Sequence, residues 1–350
     1  MLDKLIVIDA STVLAGPSVG TFFAELGAKV TKVEHPKHAD VTRSWKLPQE
    51  DPTSAVSAYF SSINYKKTYV RLDLKLEDDR SQFLELIKTA DILITNFKKG
   101  DAEKFNIEDN VLHALNPRLI IGKINGYGEE SDRVAYDLIL QAESGFMSMN
   151  GTTESGPVKM PVALIDVLSA HHLKEALLLA LYEREKTGKG KSTSVSLFDA
   201  ALSSLTNQAS NYLMTGQVPA RIGSLHPNIA PYGEIFTTND GAQITFAIGS
   251  DAHFEKLCSV LDLTALAQHP PYASNQQRVA NRTALGEKIA ERVTTWNSDE
   301  LLAQLHALNV PAGKIKPLDE VFNDSKAQAL IRSETIDGIE TKRVSSVIFK

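Results

Sequence analysis

Apolar residues fall in short blocks along the first two hundred positions, separated by polar and glycine-bearing stretches. Leu5-Ile6-Val7-Ile8-Asp9 is a run closed by an acid, the pattern of a strand buried on both faces of a parallel sheet. Ala15-Gly16-Pro17-Ser18-Val19-Gly20 follows, with Phe22, Phe23 and Leu26 at helical spacing and Gly27 where that helix would stop. Lys29 to Glu34 reads as a second strand. The rhythm recurs: strand Tyr69–Leu74, helix Asp78–Thr89, strand Ile92–Thr95 and strand Leu119–Ile124. Strands alternating with helices predict an α/β doubly wound parallel sheet, with ligands at the strands' C-terminal ends.

The pattern changes further on. Val167 to Lys186 predicts one long helix, stopped by Thr187-Gly188-Lys189-Gly190-Lys191. Strand Ser192–Val195 then leads into helical spacing through Leu213, and Gly223 to Pro231 reads as a linker or ordered loop. Tyr232–Phe236, a turn at Asn239-Asp240-Gly241, and Gln243–Ile248 predict a hairpin. Helical patterns follow at Ala252–Leu261, Arg282–Thr294 and Asp299–Leu308. A second, smaller α+β unit is therefore expected.

Composition narrows the function classes. At 350 residues, two domains or one large one are expected. A single cysteine, Cys258, excludes an internal disulfide framework and any multi-cysteine zinc site, and reads as a small buried hydrophobe. The net charge of -6 argues against a nucleic-acid partner. The richest apolar run, Ala176 to Tyr182, is bounded by charges and too short to span a bilayer. No membrane partner and a cytoplasmic location are the expectation.

Several clusters carry candidate chemistry. Gly16 and Gly20 form half of a dinucleotide fingerprint, which suits either a phosphate at a helix N-terminus or a tight turn. Lys66, Lys67 and Lys75 form one basic cluster, and Asn96-Phe97 followed by Lys98, Lys99 and Lys104 another; each is a phosphate contact or a solvated face. Asp166 closes the apolar run from Pro161 and precedes the long helix. A carboxylate there is either a helix cap or a desolvated reactive group. His171 and His172 have poor spacing with Asp166 for a metal, and no third ligand lies nearby, so no metal is expected. No G-x-S-x-G elbow supports serine hydrolysis.

Taken in order, these pieces resemble the class III CoA-transferase family, also called formyl-CoA transferase, CaiB/BaiF or carnitine-dehydratase-like. The matching segments are Val13-Leu14-Ala15-Gly16-Pro17, Lys32-Val33-Glu34, Asp40-Val41-Thr42-Arg43, Tyr59-Phe60 and Asn64-Tyr65-Lys66-Lys67. They continue through Leu72-Asp73-Leu74-Lys75, Asn96-Phe97, Asn116-Pro117-Arg118, Gly126-Tyr127-Gly128 and Tyr136-Asp137. Asp166, Thr187-Gly188-Lys189-Gly190, Asp199-Ala200, Val310-Pro311-Ala312-Gly313 and Leu318-Asp319-Glu320-Val321 complete the set.

The resemblance implies an acyl-CoA:carboxylate CoA-transferase. Asp166 would be the nucleophile, with Tyr136 beside it. CoA contacts would come from Val13, Leu14, Ala15, Leu72, Lys75, Asn96 and Phe97, with Arg43 and Lys104 as phosphate partners. Coenzyme A or acyl-CoA is then a substrate, the partners are acyl-CoA and a carboxylic acid, and no metal takes part. The implied assembly is an interlocked homodimer. The implied domains are 1–200 with 320–350 as the large CoA-binding domain, 201–224 as a linker, and 225–319 as the small domain and return linker. Lys104 stands where better-known members carry arginine, and Leu14 where oxalate-specific members carry glutamine. An adenine-side arginine falls near His35-Pro36, and His171-His172 replace small residues. Oxalate and formyl-CoA are therefore not the expected substrates. Two other readings stay open: an α-methylacyl-CoA racemase or isomerase, and a catalytically silent CoA-binding paralogue. Family racemases carry histidine where Tyr136 stands, and a phenol is a poor base at neutral pH.

Overall fold

Six parallel strands organise the first part of the computed structural model, which describes residues 2–349. They are β1 (Ile6–Ala10), β2 (Lys29–Glu34), β3 (Lys67–Arg71), β4 (Ile92–Thr95), β5 (Ile120–Asn125) and β6 (Ser192–Ser196). Their order is β3-β2-β1-β4-β5-β6, with every neighbouring pair parallel. The winding direction reverses between β1 and β4, and such a reversal opens a crevice at the strands' C-terminal edge.

Hydrophobic alternation puts a core on each face. On one side Val7, Ile92, Ile94 and Ile120 pack with Phe22 and Phe23 of the Ala15–Glu25 helix and with Leu173 and Leu177 of the long helix. On the other side Ile8, Leu93 and Ile121 pack with Phe83, Ile87 and Leu112. That is why β1, β4 and β5 read as continuous apolar runs.

The expected strand at Tyr69–Leu74 is displaced to Lys67–Arg71. Lys67 explains the shift. It is buried and donates to Asp9 at 2.8 Å, to Asn64 at 2.9 Å and to the Pro17 and Ile63 carbonyls. Burial lowers its pKa to about 8, while that of Asp9 is lowered to about 2. For Asp9, burial raises proton affinity, but Lys67, Lys32 and Ser11 outweigh it. Gly16 and Gly20 serve this packing. A Cβ at Gly16 would lie 2.2 Å from Ser11 Oγ, and one at Gly20 would lie 2.9 Å from Asp9 Oδ2.

The long helix spans Leu164–Thr187 and ends at Gly188 with φ +72°. It begins three residues before the expected start, so Asp166 lies inside its first turn. The helical stretch after β6 is two helices, Leu197–Ser203 and Thr206–Thr215.

Contacts divide the chain into two units. The first runs to Ser148, resumes over Lys159–Pro219 and closes from Lys326 onward. The second is Met149–Val158 with Ala220–Ser325. Residues 201–219, expected as linker, thus belong to the first unit and 220–224 to the second. The second unit holds an antiparallel sheet of β7 (Tyr232–Thr237), β8 (Gln243–Ala247) and β9 (Ala312–Lys314). Helices Asp251–Val260, Arg282–Val293 and Ser298–Ala307 supply its core residues Phe254, Leu257, Ile289, Val293 and Leu301. Cys258 is buried there, and burial pushes its thiol up to about 12. The chain closes on a hairpin in the first unit, β10 (Ile331–Ile336) with β11 (Ile339–Val344).

Candidate active site

A cavity of about 510 Å³ opens in the first unit. Its wall takes Val13, Leu14 and Ala15 from the turn after β1, and Asn96 and Phe97 from the end of β4. These two segments flank the sheet's switch point. The end of β5 and the loop after it add Lys123 to Tyr136 in part, and the long helix adds Asp166.

Asp166 is set in place from a distance. No side chain within its own helix start caps the first turn. Instead, the buried Asp137 carboxylate accepts the Ile165 N–H at 2.8 Å. Its other oxygen accepts the Gln141 side-chain N–H at 2.7 Å, and Gln141 in turn accepts the Met160 N–H at 2.8 Å. Helix and carboxylate are thereby fixed relative to each other.

The same arrangement tunes the charge. Burial, then the Asp137 charge, pushes Asp166 from 3.8 up to about 7. A helix N-terminus pulls the other way, by about 0.3–1 kcal/mol for an exposed group, which is too little to cancel desolvation. Asp166 is thus an acid that gains and loses its proton near neutrality. Half-buried Tyr59 is pushed up to about 12 by burial and by the charges of Asp166, Asp137 and Asp40. Its phenol stays protonated near this carboxylate.

The cavity wall also carries cations. Lys99 lies 3.1 Å from Glu130, and Lys123 lies 2.7 Å from Asp109. Arg133 pairs with Glu143 at 2.8 Å and stacks over Tyr127 at 4.1 Å. Among the described residues, Lys98 is exposed and has no carboxylate within ion-pair distance. Lys123 and Arg133 carried no motif in the sequence; β5 itself places Lys123, and the path of the loop after β5 places Arg133.

The structure brings together seven of the expected site residues: Val13, Leu14, Ala15, Asn96, Phe97, Tyr136 and Asp166. The other four lie outside this wall. Arg43 makes a two-pronged contact with Glu34 at 2.9 and 2.8 Å, reaches Asp337 at 2.9 Å and stacks on Phe60 at 3.8 Å. Leu72 is buried in the core under the sheet. Lys75 is exposed. Lys104 pairs with Asp101 at 3.0 Å on the helix that lends Ala102 and Glu103 to the wall. Among the described residues, no group of three or more histidine, cysteine, aspartate or glutamate side chains could hold a metal. No helix there is long and apolar enough to cross a membrane.

Comparison with known proteins gives consistent matches. The family model for CoA-transferase family III matches residues 2–347. A succinate–glutarate CoA-transferase of Agrobacterium fabrum is 36% identical over 334 residues, covering 94% of this chain and 83% of that protein. An acetyl-CoA:oxalate CoA-transferase of Acetobacter aceti is 35% identical over 325 residues, covering 92% and 82%. A crystal structure of a CAIB/BAIF family protein from Brucella suis superposes with a TM-score of 0.83 at 36% identity, covering 100% of this chain and 92% of that one.

Proposed function

Because the chain belongs to CoA-transferase family III, we propose that it moves CoA between two carboxylic acids through a covalent intermediate on Asp166. The observation that carries this reading is a carboxylate with a pKa near 7 in the wall of the switch-point cavity.

The steps use only this carboxylate and the two substrates. Ionised Asp166 attacks the thioester carbonyl, and the C–S bond breaks. CoA leaves as thiolate, a good leaving group because a thiol's pKa is near 8.5. The product is a mixed aspartyl anhydride. The thiolate then attacks the aspartyl carbonyl, releasing the donor acid and forming an aspartyl–CoA thioester. The acceptor carboxylate attacks that thioester, and the thiolate finally attacks the acyl side of the new anhydride. Asp166 is regenerated and no net proton is consumed. A nucleophile with raised proton affinity is more basic once ionised, which favours attack.

CoA would lie along Val13, Leu14, Ala15, Asn96 and Phe97, with Lys98 and Arg133 near its phosphates. Leu72, Lys75, Arg43 and Lys104 keep a place in the proposal only as outer contacts. Tyr136 would orient the substrate from the cavity wall. The acids are proposed to be short dicarboxylates, since similar proteins are named for succinate, glutarate, oxalate and mesaconate. Leu14 argues against oxalate, having no hydrogen bond to offer. The assembly proposed is the interlocked homodimer. Leu179, Tyr182, Leu213 and Met214 leave large apolar surface exposed on helices of the first unit, as a partner-covered face would.

The test is a transfer assay with succinyl-CoA and glutarate, following glutaryl-CoA by chromatography. Initial rates should be ping-pong, and Asp166→Asn should lose at least ~10³-fold. Full activity in Asp166→Asn would overturn the reading. Deuterium entering the α-carbon without any acceptor acid would favour the racemase instead.

A further inference from the structure

Val13 occupies a backbone conformation that usually belongs to glycine. Its φ is +72°, in the left-handed region that a β-branched side chain tolerates worst. It lies between β1 and the Ala15–Glu25 helix and forms part of the cavity wall. Such a conformation persists only where the surroundings over-determine it.

Five backbone groups of this turn are held by side chains from elsewhere. Asp9 accepts the Ser11 N–H at 3.1 Å, and Lys32 donates to the Ser11 carbonyl at 2.7 Å. Asn96 accepts the Thr12 N–H at 3.0 Å and donates to the Thr12 carbonyl at 2.9 Å. The Val13 N–H donates to both carboxylate oxygens of Asp40, at 3.3 and 3.2 Å. Of these holds, only the last is made to an atom of the strained residue; the Asn96 bond to the Thr12 carbonyl holds the same peptide plane from its other side.

Asp40 is built for that task. It is 1% exposed and lies outside the cavity wall. Lys32 balances its charge at 3.2 Å. Thr42 donates to it through N–H at 3.1 Å and hydroxyl at 2.7 Å. Its own N–H donates to Glu34 at 3.0 Å. The carboxylate is therefore locked before it meets Val13.

We propose that Asp40 is a positioning residue for the cavity: its buried carboxylate holds Val13 in the left-handed conformation and so sets the wall against which acyl-CoA binds. Asp40 touches no substrate; it acts through one backbone N–H. The proposal rests on the reading of the cavity as the acyl-CoA site.

A double-mutant cycle tests it. Glycine takes positive φ without a steric penalty, so Val13→Gly removes the need for the hold and leaves the other partners of Asp40 in place. Asp40→Asn, Val13→Gly and the pair are compared with the parent by CoA Kd from calorimetry, by KM and kcat, and by ligand-free thermal midpoint. In the parent, Asp40→Asn should weaken CoA binding about tenfold, a magnitude ordinary for coupled neighbours. With Val13→Gly already present, the same change should cost less than about threefold, again within the range of coupled neighbours. KM for acyl-CoA should move more than kcat. Ligand-free midpoints should show the same non-additivity. Equal losses in both backgrounds would overturn the proposal, because they are what a role through Thr42 and Lys32 alone produces. If Asp40→Asn cannot be recovered folded, recovery on adding Val13→Gly supports the proposal, and failure of the pair overturns it. A parent that binds no CoA would sink the functional reading of the cavity, while the ligand-free midpoints would still decide the coupling of Asp40 to Val13.

Discussion

Replacing Asp166 with asparagine should make the protein more stable above pH 7 and leave it unchanged near pH 4. Burial and the neighbouring Asp137 charge hold its pKa at about 7, against an ordinary 3.8. Between those values the folded chain binds a proton that the unfolded chain does not. Its stability contribution is therefore complete below about pH 4 and is lost as pH climbs through 7. At about 1.4 kcal/mol for each tenfold in proton affinity, ionising Asp166 in the fold costs at most about 4 kcal/mol. Part of its surface remains in water, and solvent screening brings the expected difference to about 2 kcal/mol. For a unit of this size that is roughly 4–8 °C in thermal midpoint. The assay is a pair of midpoint-against-pH curves, parent and Asp166→Asn, from pH 4.5 to 8.5. They should meet at the acid end and diverge upward for the variant. Parallel curves, or a variant less stable at pH 8, would mean that the helix N-terminus outweighs burial, and the case for a carboxylate poised near neutrality would fail.

Four further outcomes follow from the geometry. If Asp166 is the nucleophile proposed, only its ionised form attacks, and kcat/KM for transfer should rise with pH through about 7 and level above it; a profile flat from pH 5 to 9 would contradict this. Asp137→Asn removes the nearby charge and should move that limb to lower pH, with a loss of about 1 kcal/mol in stability because an amide can accept the Ile165 N–H but not the Gln141 N–H as well; an unmoved limb would show that Asp137 does not tune Asp166. Lys98→Ala should raise KM for acyl-CoA severalfold and flatten its dependence on salt, read at two ionic strengths; an unchanged salt dependence would remove Lys98 from the phosphate contacts. Gly16→Ala places a Cβ 2.2 Å from Ser11 Oγ and should cost about 1–3 kcal/mol by overpacking; a neutral midpoint would mean the turn relaxes freely.

Much of the sheet was legible because strands buried on both faces have to be apolar throughout. Ile92–Thr95 and Lys29–Glu34 match the reading residue for residue. β3 was displaced because Lys67 reads as solvated, yet its charge is matched by Asp9, 58 positions earlier. The start of the long helix was hidden for a related reason. Its cap is Asp137, which comes from another helix and leaves no mark on the local sequence. Val13 gave no sign of its left-handed backbone, since strain of that kind is usually announced by glycine. Arg43 was legible as a cation but not as one already engaged: Glu34 meets it only because β2 and the turn after it bring the two together, and its second partner Asp337 lies 294 residues away in the closing hairpin. The cavity's first three segments were readable as strand ends. Arg133 was not, because its place depends on the path of one loop; Lys123 was legible only as a residue of strand β5.

The most direct measurement is mass spectrometry of the protein mixed with succinyl-CoA and quenched with hydroxylamine, which converts an activated aspartyl group to a hydroxamate. A covalent aspartyl intermediate predicts a hydroxamate that maps to Asp166, needs the acyl-CoA, and is absent in Asp166→Asn. Turnover of succinyl-CoA and glutarate with no hydroxamate at Asp166 at any quench time would contradict it.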